Sequence, residues 1–374
     1  MKRNRAILGA FVLVFTVLAL VAFTQPAAAQ GKTFRWKVQT AWPPTDTAYD
    51  AAKILVGMIE RMSGGRLKLE LLPAGAIVPP FEIQEAVHKG VIDAGHTTPG
   101  YIVGKVPAFV PLTHGPMLGM DFIDYFGWYW EGGGHELLQE AYKEKLRFNV
   151  ISFQHHPEGP QAMGWFKKEI HSFADIKGLK YRIYGIGNEA YGKLGIAAMT
   201  IPGGEIVPAL ERGVLDGAEW QGCHADKILG IDKIAKYHYA PGMHEPMTVG
   251  EFIINEKRYN DLPADLREII KVATQASYWV HFVRWQMQTE KACQELLKEG
   301  IKIIKTSDEL NSKFLEVYDK ISAEKMAKDP FWAKVIESQK AYAGKMVPYR
   351  LSYWPDYNFI ARHYWKDKIW LKAK

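Results

Sequence analysis

One pattern occurs twice along this chain. Glu82-Ile83 through Ala86 to Gly90-Val91-Ile92-Asp93 is matched by Glu205-Ile206 through Ala209 to Gly213-Val214-Leu215-Asp216. Each copy reads as the last turns of a helix, a glycine suited to the left-handed cap, and a short β-branched strand. A repeated helix, cap and strand predicts two similar α/β lobes. Ligands of open α/β sheets sit beyond the carboxyl ends of the strands, which here are His96-Thr97-Thr98 in the first copy and Glu219-Trp220-Gln221 in the second. Facing lobes bring these groups to one shared cleft.

The segments around the repeats fit that frame. Phe34 to Thr40 alternates like a strand, Thr45 to Met62 is an amphipathic helix stopped by Gly64-Gly65, and Leu67 to Leu71 is the next strand. This β-α-β order argues for a mainly parallel sheet. The aromatic stretch from Pro107 to Trp130 reads as core, because large rings dominate burial energetics. A helix over Glu136 to Lys145 and a strand over Phe148 to Phe153 lead to a polar segment, Gln154 to Pro160, where the chain is expected to cross to the second lobe.

In that lobe, Gly178 to Gly185 is a strand with Leu179, Tyr181 and Ile183 on one face and Lys180, Arg182 and Tyr184 on the other. A helix over Asn188 to Leu194, capped by Gly195, leads into the second repeat. The chain returns near Pro241 to Pro246 into a strand over Thr248 to Asn255, and two crossings suit a hinge. Pro263 to Glu299 and Asp308 to Lys345 are long helical stretches, followed by a tail rich in Tyr, Trp, Phe and Arg. The expected organisation is residues 30–154 plus 246–345 as lobe one, 155–245 as lobe two, and 346–374 as a tail. Such a tail either covers a partner surface or packs back on its own lobe.

The first 29 residues read as a leader. Lys2, Arg3 and Arg5 precede an apolar run from Ala6 to Phe23, and Ala27-Ala28-Ala29 offers the small residues a signal peptidase needs. The run is about long enough to span a bilayer, but Pro26 and the Ala-x-Ala site favour cleavage, giving a mature periplasmic chain from Gln30 or Gly31. The remaining length exceeds what one core usually supports, so two domains are the default. Of the formal charge of +6, three positives lie in the leader. No Lys/Arg block interleaves with aromatics, which argues against a nucleic-acid partner. Cys223 and Cys293 are the only cysteines. An exported protein permits a disulfide between them, and two free buried thiols fit the sequence as well.

Arg182 is the best single candidate for ligand contact. On the strand face away from the core residues, its fork suits a carboxylate, although an internal salt bridge fits the same position. Glu219 and Trp220 follow directly after a strand, where a carboxylate is costly unless paired or bound to a cation. Glu245, at the return crossing, is a further anionic candidate, and Gln161 adds an amide oxygen. These hard oxygens suit Na⁺, Ca²⁺ or Mg²⁺, while two solvated surface glutamates are the plain alternative. His96, His155, His156 and His244 lack a zinc-site spacing. There is no nucleophile elbow, phosphate loop or dinucleotide fingerprint.

Taken together, these segments resemble the solute-binding proteins of tripartite ATP-independent periplasmic (TRAP) transporters, in the branch that binds 2-oxo acids and lactate. The resemblance is carried by Phe34 to Pro43, Gly95-His96-Thr97, Gly104 to Phe109, Gln161 to Phe166, Gly178 to Arg182, Pro202 to Ile206, Glu219-Trp220 and Pro241 to Pro246. It implies a periplasmic-binding-protein-like fold, two α/β lobes hinged around a ligand cleft with a long C-terminal helical region. By the same resemblance Arg182 clamps the ligand carboxylate, while Gln161, Glu219, Trp220 and Glu245 hold a calcium or sodium ion that bridges to the ligand. Thr97, Gly100 and Tyr101 are the expected contacts to the ligand's other end, where Pro99-Gly100-Tyr101 departs from a Ser-Tyr-Tyr-like stretch. The tail resembles a helix that pairs subunits, which implies a homodimer, and the membrane subunits of a TRAP transporter are the implied partner.

With Arg182 positive and Glu219, Glu245 and a monocarboxylate negative, Ca²⁺ neutralises the site and Na⁺ leaves one negative charge, provided both glutamates face the cleft. The expected function is capture of a small organic acid such as pyruvate or lactate. A competing class is an exported metal-dependent enzyme acting on an organic acid with Glu219 or Glu245 as base. A third is an interaction protein that uses its aromatic tail.

Overall fold

The computed structural model describes residues 32–368. The expected signal peptide, its cleavage site and residues 369–374 of the tail lie outside the described residues. The strands are β1 (Phe34–Thr40), β2 (Leu67–Leu72), β3 (Ala94–Thr97), β4 (Val150–Glu158), β5 (Gly164–Phe166), β6 (Lys180–Arg182), β7 (Ala197–Met199), β8 (Gly217–Ala218), β9 (Tyr237–Ala240), β10 (Thr248–Asn255) and β11 (Lys302–Lys305). They form two sheets, in the orders β2-β1-β3-β10-β4 and β11-β9-β5-β8-β6-β7. Helices used below are α1 (Thr47–Met62), α2 (Ile83–His88), α3 (Phe122–Glu131), α4 (Ile186–Lys193), α5 (Gly203–Glu211), α6 (Cys223–Leu229), α7 (Ala264–Lys298), α8 (Asp308–Lys328), α9 (Pro330–Tyr353) and α10 (Tyr357–Trp365).

The two-lobed α/β expectation holds, and each sheet is mixed. β1 runs parallel to β2 and β3, joined through α1, whose Asp46 cap accepts the Ala48 amide at 2.8 Å. Ala51, Ala52, Leu55 and Ile59 line its buried face. In the second sheet β6 is parallel to β7 and β8. The antiparallel members are β10, between β3 and β4, and β5, between β8 and β9. Both follow a strand of the other sheet, so they enter without the crossover helix that a parallel neighbour requires.

The repeat is real but its strands begin later than expected. Gly90 and Gly213 take positive φ of 72° and 73°, as the left-handed cap requires. The β-branched residues after them are not strand: Val91 and Val214 are 55% and 46% exposed. β3 and β8 start at Ala94 and Gly217, three residues on. What the repeat encodes instead is a clasp. Asp93 accepts the Lys37 amide at 2.8 Å and Asp216 accepts the Lys180 amide at 2.9 Å, so each Asp pins the neighbouring parallel strand.

Three further expectations change. β4 extends to Glu158, so Gln154 to Glu158 belongs to the first sheet and the chain crosses after it. β7, a short strand of small and flexible side chains, gave no alternation to read. The C-terminal third does not stay with lobe one: β11 pairs in parallel with β9 in the second sheet. α7 makes this possible. Its 35 residues span about 52 Å, with Ile270 and Ala273 in the core of Trp36, Val38 and Phe252, and Cys293 disulfide-bonded to Cys223 of α6. Asp329-Pro330 breaks the expected last helix, with Asp329 capping α9 and proline at the first helical position. The tail leaves its own lobe, with Tyr357, Phe359 and Trp365 exposed on α10.

Candidate functional site

A cavity of about 40 Å³ lies between the lobes, roughly three times what one water needs. Lobe one contributes Trp42, Thr98, Tyr101, His156 and Glu158, with Thr248 and Gly250 of β10. Lobe two contributes Gln161, Arg182, Tyr184, Glu219, Trp220 and Gln221. Most of these residues follow the carboxyl ends of β1, β3, β6 and β8, where an open α/β sheet places its ligand.

Arg182 ends β6 and is 1% exposed. Its Nη1 donates to the Glu219 carbonyl oxygen at 2.8 Å and to Glu219 Oε2 at 2.7 Å, and its Nε donates to the Ile201 carbonyl oxygen at 3.2 Å. The guanidinium lies over the Trp220 ring, 4.9 Å from its centroid. The internal salt bridge, one of the two readings of Arg182 from sequence, is formed with Glu219. The Arg182 Nη2 has no partner among the described residues, which leaves one edge of the fork for an acceptor in the cavity.

Trp220 is fixed from both lobes. Its Nε1 donates to Asp46 Oδ2 at 3.2 Å, and Gln221 Nε2 donates to Asp46 Oδ1 at 3.2 Å, so the cap of α1 holds the second lobe across the cleft. Gly203 must lack a side chain, because a Cβ there would lie 2.4 Å from the indole. Burial pushes the Asp46 carboxyl up to about 6, with hydrogen bonds to Ala48, Gln221 and Trp220 opposing it.

Glu245 is fully buried and both its carboxylate oxygens lack a partner among the described residues, as does Gln161 Oε1. Glu219, His244 and Glu245 each bring a ligand atom within 4.8 Å of one another. Burial raises the Glu245 carboxyl well above the usual range, and the Glu219 charge raises it further while Arg182 opposes both. Burial also raises Glu219, against the pull of Arg182. Buried carboxylate oxygens left bare are costly, and a hard cation held by Glu219, Glu245 and Gln161 would remove that cost. Glu245 itself lies outside the cavity lining, behind Glu219, and the charge balance drawn from sequence omitted Glu158, which lines the cavity with Glu219 and whose carboxyl is also raised by burial.

Two expected contacts do not reach the cavity. Thr97 is fully buried behind it, and the next residue, Thr98, lines it instead, with its Oγ1 2.9 Å from the Tyr184 hydroxyl. Gly100 makes room rather than contact, because a Cβ at that position would overlap the Tyr184 hydroxyl. Tyr101 lines the cavity as expected. Trp42, His156, Glu158 and Tyr184 were not singled out from sequence. In the alternation read over Gly178 to Gly185, Tyr184 falls on the same face as Arg182, although the strand itself ends at Arg182, and Trp42 follows β1 as Thr98 follows β3, so both had a readable signal. The histidines, dismissed on sequence spacing, are brought together by the fold: ligand atoms of His96, His155 and His156 lie within 4.8 Å of one another.

The model of the bacterial extracellular solute-binding proteins, family 7 (DctP), matches residues 38–329. This chain belongs to the DctP family. A relative in Nostoc sp., a monocarboxylate 2-oxoacid-binding periplasmic protein, is 34% identical over 91% of this chain and 94% of its own. A TRAP periplasmic solute-binding protein of Pseudoalteromonas atlantica, solved with bound sodium and pyruvate, superposes with a TM-score of 0.81 at 32% identity, covering 88% of this chain and 99% of that one. A TRAP solute-binding protein of Bordetella bronchiseptica gives a TM-score of 0.83 at 28% identity, covering 89% and 97%. That structure is a mixed-occupancy dimer with calcium and picolinate in one site. This DctP protein is therefore a TRAP solute-binding receptor, of a family that works outside the cytoplasm.

Proposed function

We propose that this receptor captures a small 2-oxo or 2-hydroxy monocarboxylic acid, such as pyruvate or lactate, together with calcium or sodium, and hands it unchanged to the membrane subunits of a TRAP transporter. The observation that carries this reading is the pair of bare, fully buried Glu245 oxygens beside the Arg182–Glu219 ion pair. Arg182 holds the ligand carboxylate through its free edge, Trp220 forms a flat wall under the guanidinium, and Gln161, Glu219 and Glu245 hold the cation, with Trp220 positioned beside it. The cation supplies positive charge that the buried acids and the ligand carboxylate share. Tyr101, Thr98 and Tyr184 close the far side. The small cavity favours acids of a few carbon atoms. The Nostoc protein supports the ligand class, the Pseudoalteromonas protein both ligand class and cation, and the Bordetella protein the cation.

Closure brings the Asp46 cap onto Trp220 and Gln221, so ligand capture and lobe closure are one event. The exposed aromatic tail is the surface by which two copies pair, and residues 1–29 direct export before removal. Glu245→Gln tests the cation role. Because no group among the described residues pairs with Glu245, the amide removes a buried acid without breaking a contact, and the unliganded variant unfolds at a temperature equal to or above that of the unaltered protein. Its calcium affinity falls by roughly two orders of magnitude, since affinity follows the ligand charge count. Titration of calcium in the presence of pyruvate reads this out; an unchanged calcium dependence removes Glu245 from the site.

A further inference from the structure

His96, His155, His156 and His281 pack against one another beneath the cavity, all buried. A β-bulge builds the cluster. Gly250 pairs with His156 and Glu251 pairs with Gln154, which leaves His155 as the extra residue. The bulge lets consecutive histidines approach His96 together, re-aiming side chains as such irregularities do near ligand sites. Gly250 is required opposite them, because a Cβ there would lie 1.6 Å from His156 Cε1. A metal held by three imidazoles is one use for such a cluster, but His96 Nε2 and His156 Nδ1 are 2.8 Å apart and already hydrogen-bonded to each other. That bond spends a lone pair the metal needs.

The hydrogen bonds form a directed chain. The Trp42 amide donates to Thr40 Oγ1 at 3.4 Å, and Thr40 Oγ1 is 2.9 Å from His96 Nδ1. Thr40 is fully buried, and His96 Nδ1 is the only acceptor of its hydroxyl proton among the described residues. Thr40 therefore donates, since the reverse arrangement leaves a buried hydroxyl proton unpaired. His96 then carries its proton on Nε2 and donates it to His156 Nδ1, and His156 carries its own on Nε2. Burial holds His96 and His156 far below the usual imidazole range, so both rings are neutral and each has one defined tautomer. His156 lines the cavity and its Nδ1 is engaged, so Nε2 is the nitrogen left to meet a ligand.

We propose that His156 is a specificity-determining residue, fixed by Thr40 and His96 as an N–H donor to the 2-oxo oxygen of the bound acid, and that this relay selects 2-oxo acids over 2-hydroxy acids. The inference rests on the ligand class proposed above. Arg182 reaches the ligand from the second lobe and His156 from the first, so they serve different ends of it. A 2-oxo oxygen only accepts. A 2-hydroxy group accepts equally well but must also place its own proton, and the fixed His156 Nε2–H does not take it.

The test has two arms on the mature full-length protein. In the first, nitrogen-15 NMR of the histidine rings reads the tautomers directly, with protonated Nε2 expected for both His96 and His156; protonated Nδ1 on His156 overturns the proposal. In the second, calorimetry measures pyruvate and lactate affinities for the unaltered protein, Thr40→Val, His156→Gln and Arg182→Ala. Thr40→Val touches no ligand, yet it frees the relay and is expected to lower the pyruvate-to-lactate affinity ratio about tenfold. An unchanged ratio in both Thr40→Val and His156→Gln, with Arg182→Ala binding pyruvate far more weakly than the unaltered protein, overturns the relay and leaves the receptor reading intact. Normal binding by Arg182→Ala marks the separate failure of that reading.

Discussion

Arg182→Ala is expected to lower pyruvate affinity by about two to three orders of magnitude while the protein still folds. The substitution removes the carboxylate's partner and strips Glu219 of the bonds it receives at 2.7 and 2.8 Å from Nη1. Truncating one member of a buried, hydrogen-bonded charge pair costs about 2–5 kcal/mol. The folded state tolerates the loss because the Glu219 carboxyl is already raised by burial and takes up a proton when its partner is gone. Arg182→Lys restores the charge but not the planar fork, nor the stack over Trp220, and is expected to recover only a small part of the affinity. Calorimetric titration with pyruvate at saturating calcium checks both. Equal affinities for the three proteins remove Arg182 from the ligand site.

Loss of the disulfide is the largest expected effect on stability. Cys223 opens α6 in the second lobe and Cys293 lies near the end of α7, with Cα atoms 5.2 Å apart and 70 positions between them in sequence. Closing a loop of that size stabilises the folded state by about 4 kcal/mol in the chain-entropy picture. Replacing both cysteines by alanine is therefore expected to shift the urea midpoint well down, and reductant to do the same to the unaltered protein. Ligand affinity changes little, because neither sulfur lines the cavity. Coincident unfolding curves with and without reductant contradict the assignment of α7 as the strut tied to lobe two at this point.

What the sequence made legible follows physical rules that act locally. β1, α1, β10 and α7 were readable because alternation, helical period, a glycine after the last turn or a proline just before the first marks their ends. Arg182, Glu219, Trp220, Gln161 and Tyr101 meet at one cavity because strand ends are predictable and sites in α/β folds sit there. Val91 and Val214 misled for a plain reason: β-branched residues also occupy exposed turns, and the small residues of β3 and β8 carry no strand signal. No strand was read at residues 302–305, which fell within the stretch assigned to lobe one; β11 joins the second sheet because membership of a sheet is settled by the length and direction of α7, which no local pattern encodes. The histidine cluster was dismissed for the same kind of reason. Its members lie far apart in sequence, and consecutive His155 and His156 converge only through a bulge set by the facing strand.

The cysteines show the limit from the other side. Two thiols in an exported chain permit a bond, but only the approach of α6 to α7 decides whether it forms. Thr97 and Gly100 show how fine that limit is. Each was one step from a residue or a role that the site uses: Thr98 lines the cavity, and Gly100 clears the space that the Tyr184 hydroxyl fills.

The most direct test of the central claim is calorimetric titration of pyruvate into the mature protein, unfolded and refolded to strip carried ligand, in calcium, in sodium, and in a chelated potassium buffer. The account predicts one acid bound per chain, tightly with calcium or sodium and far more weakly without either, and release of the acid chemically unchanged. Absence of binding by pyruvate, longer 2-oxo acids and lactate in every buffer, or binding indifferent to removal of the cation, would contradict it.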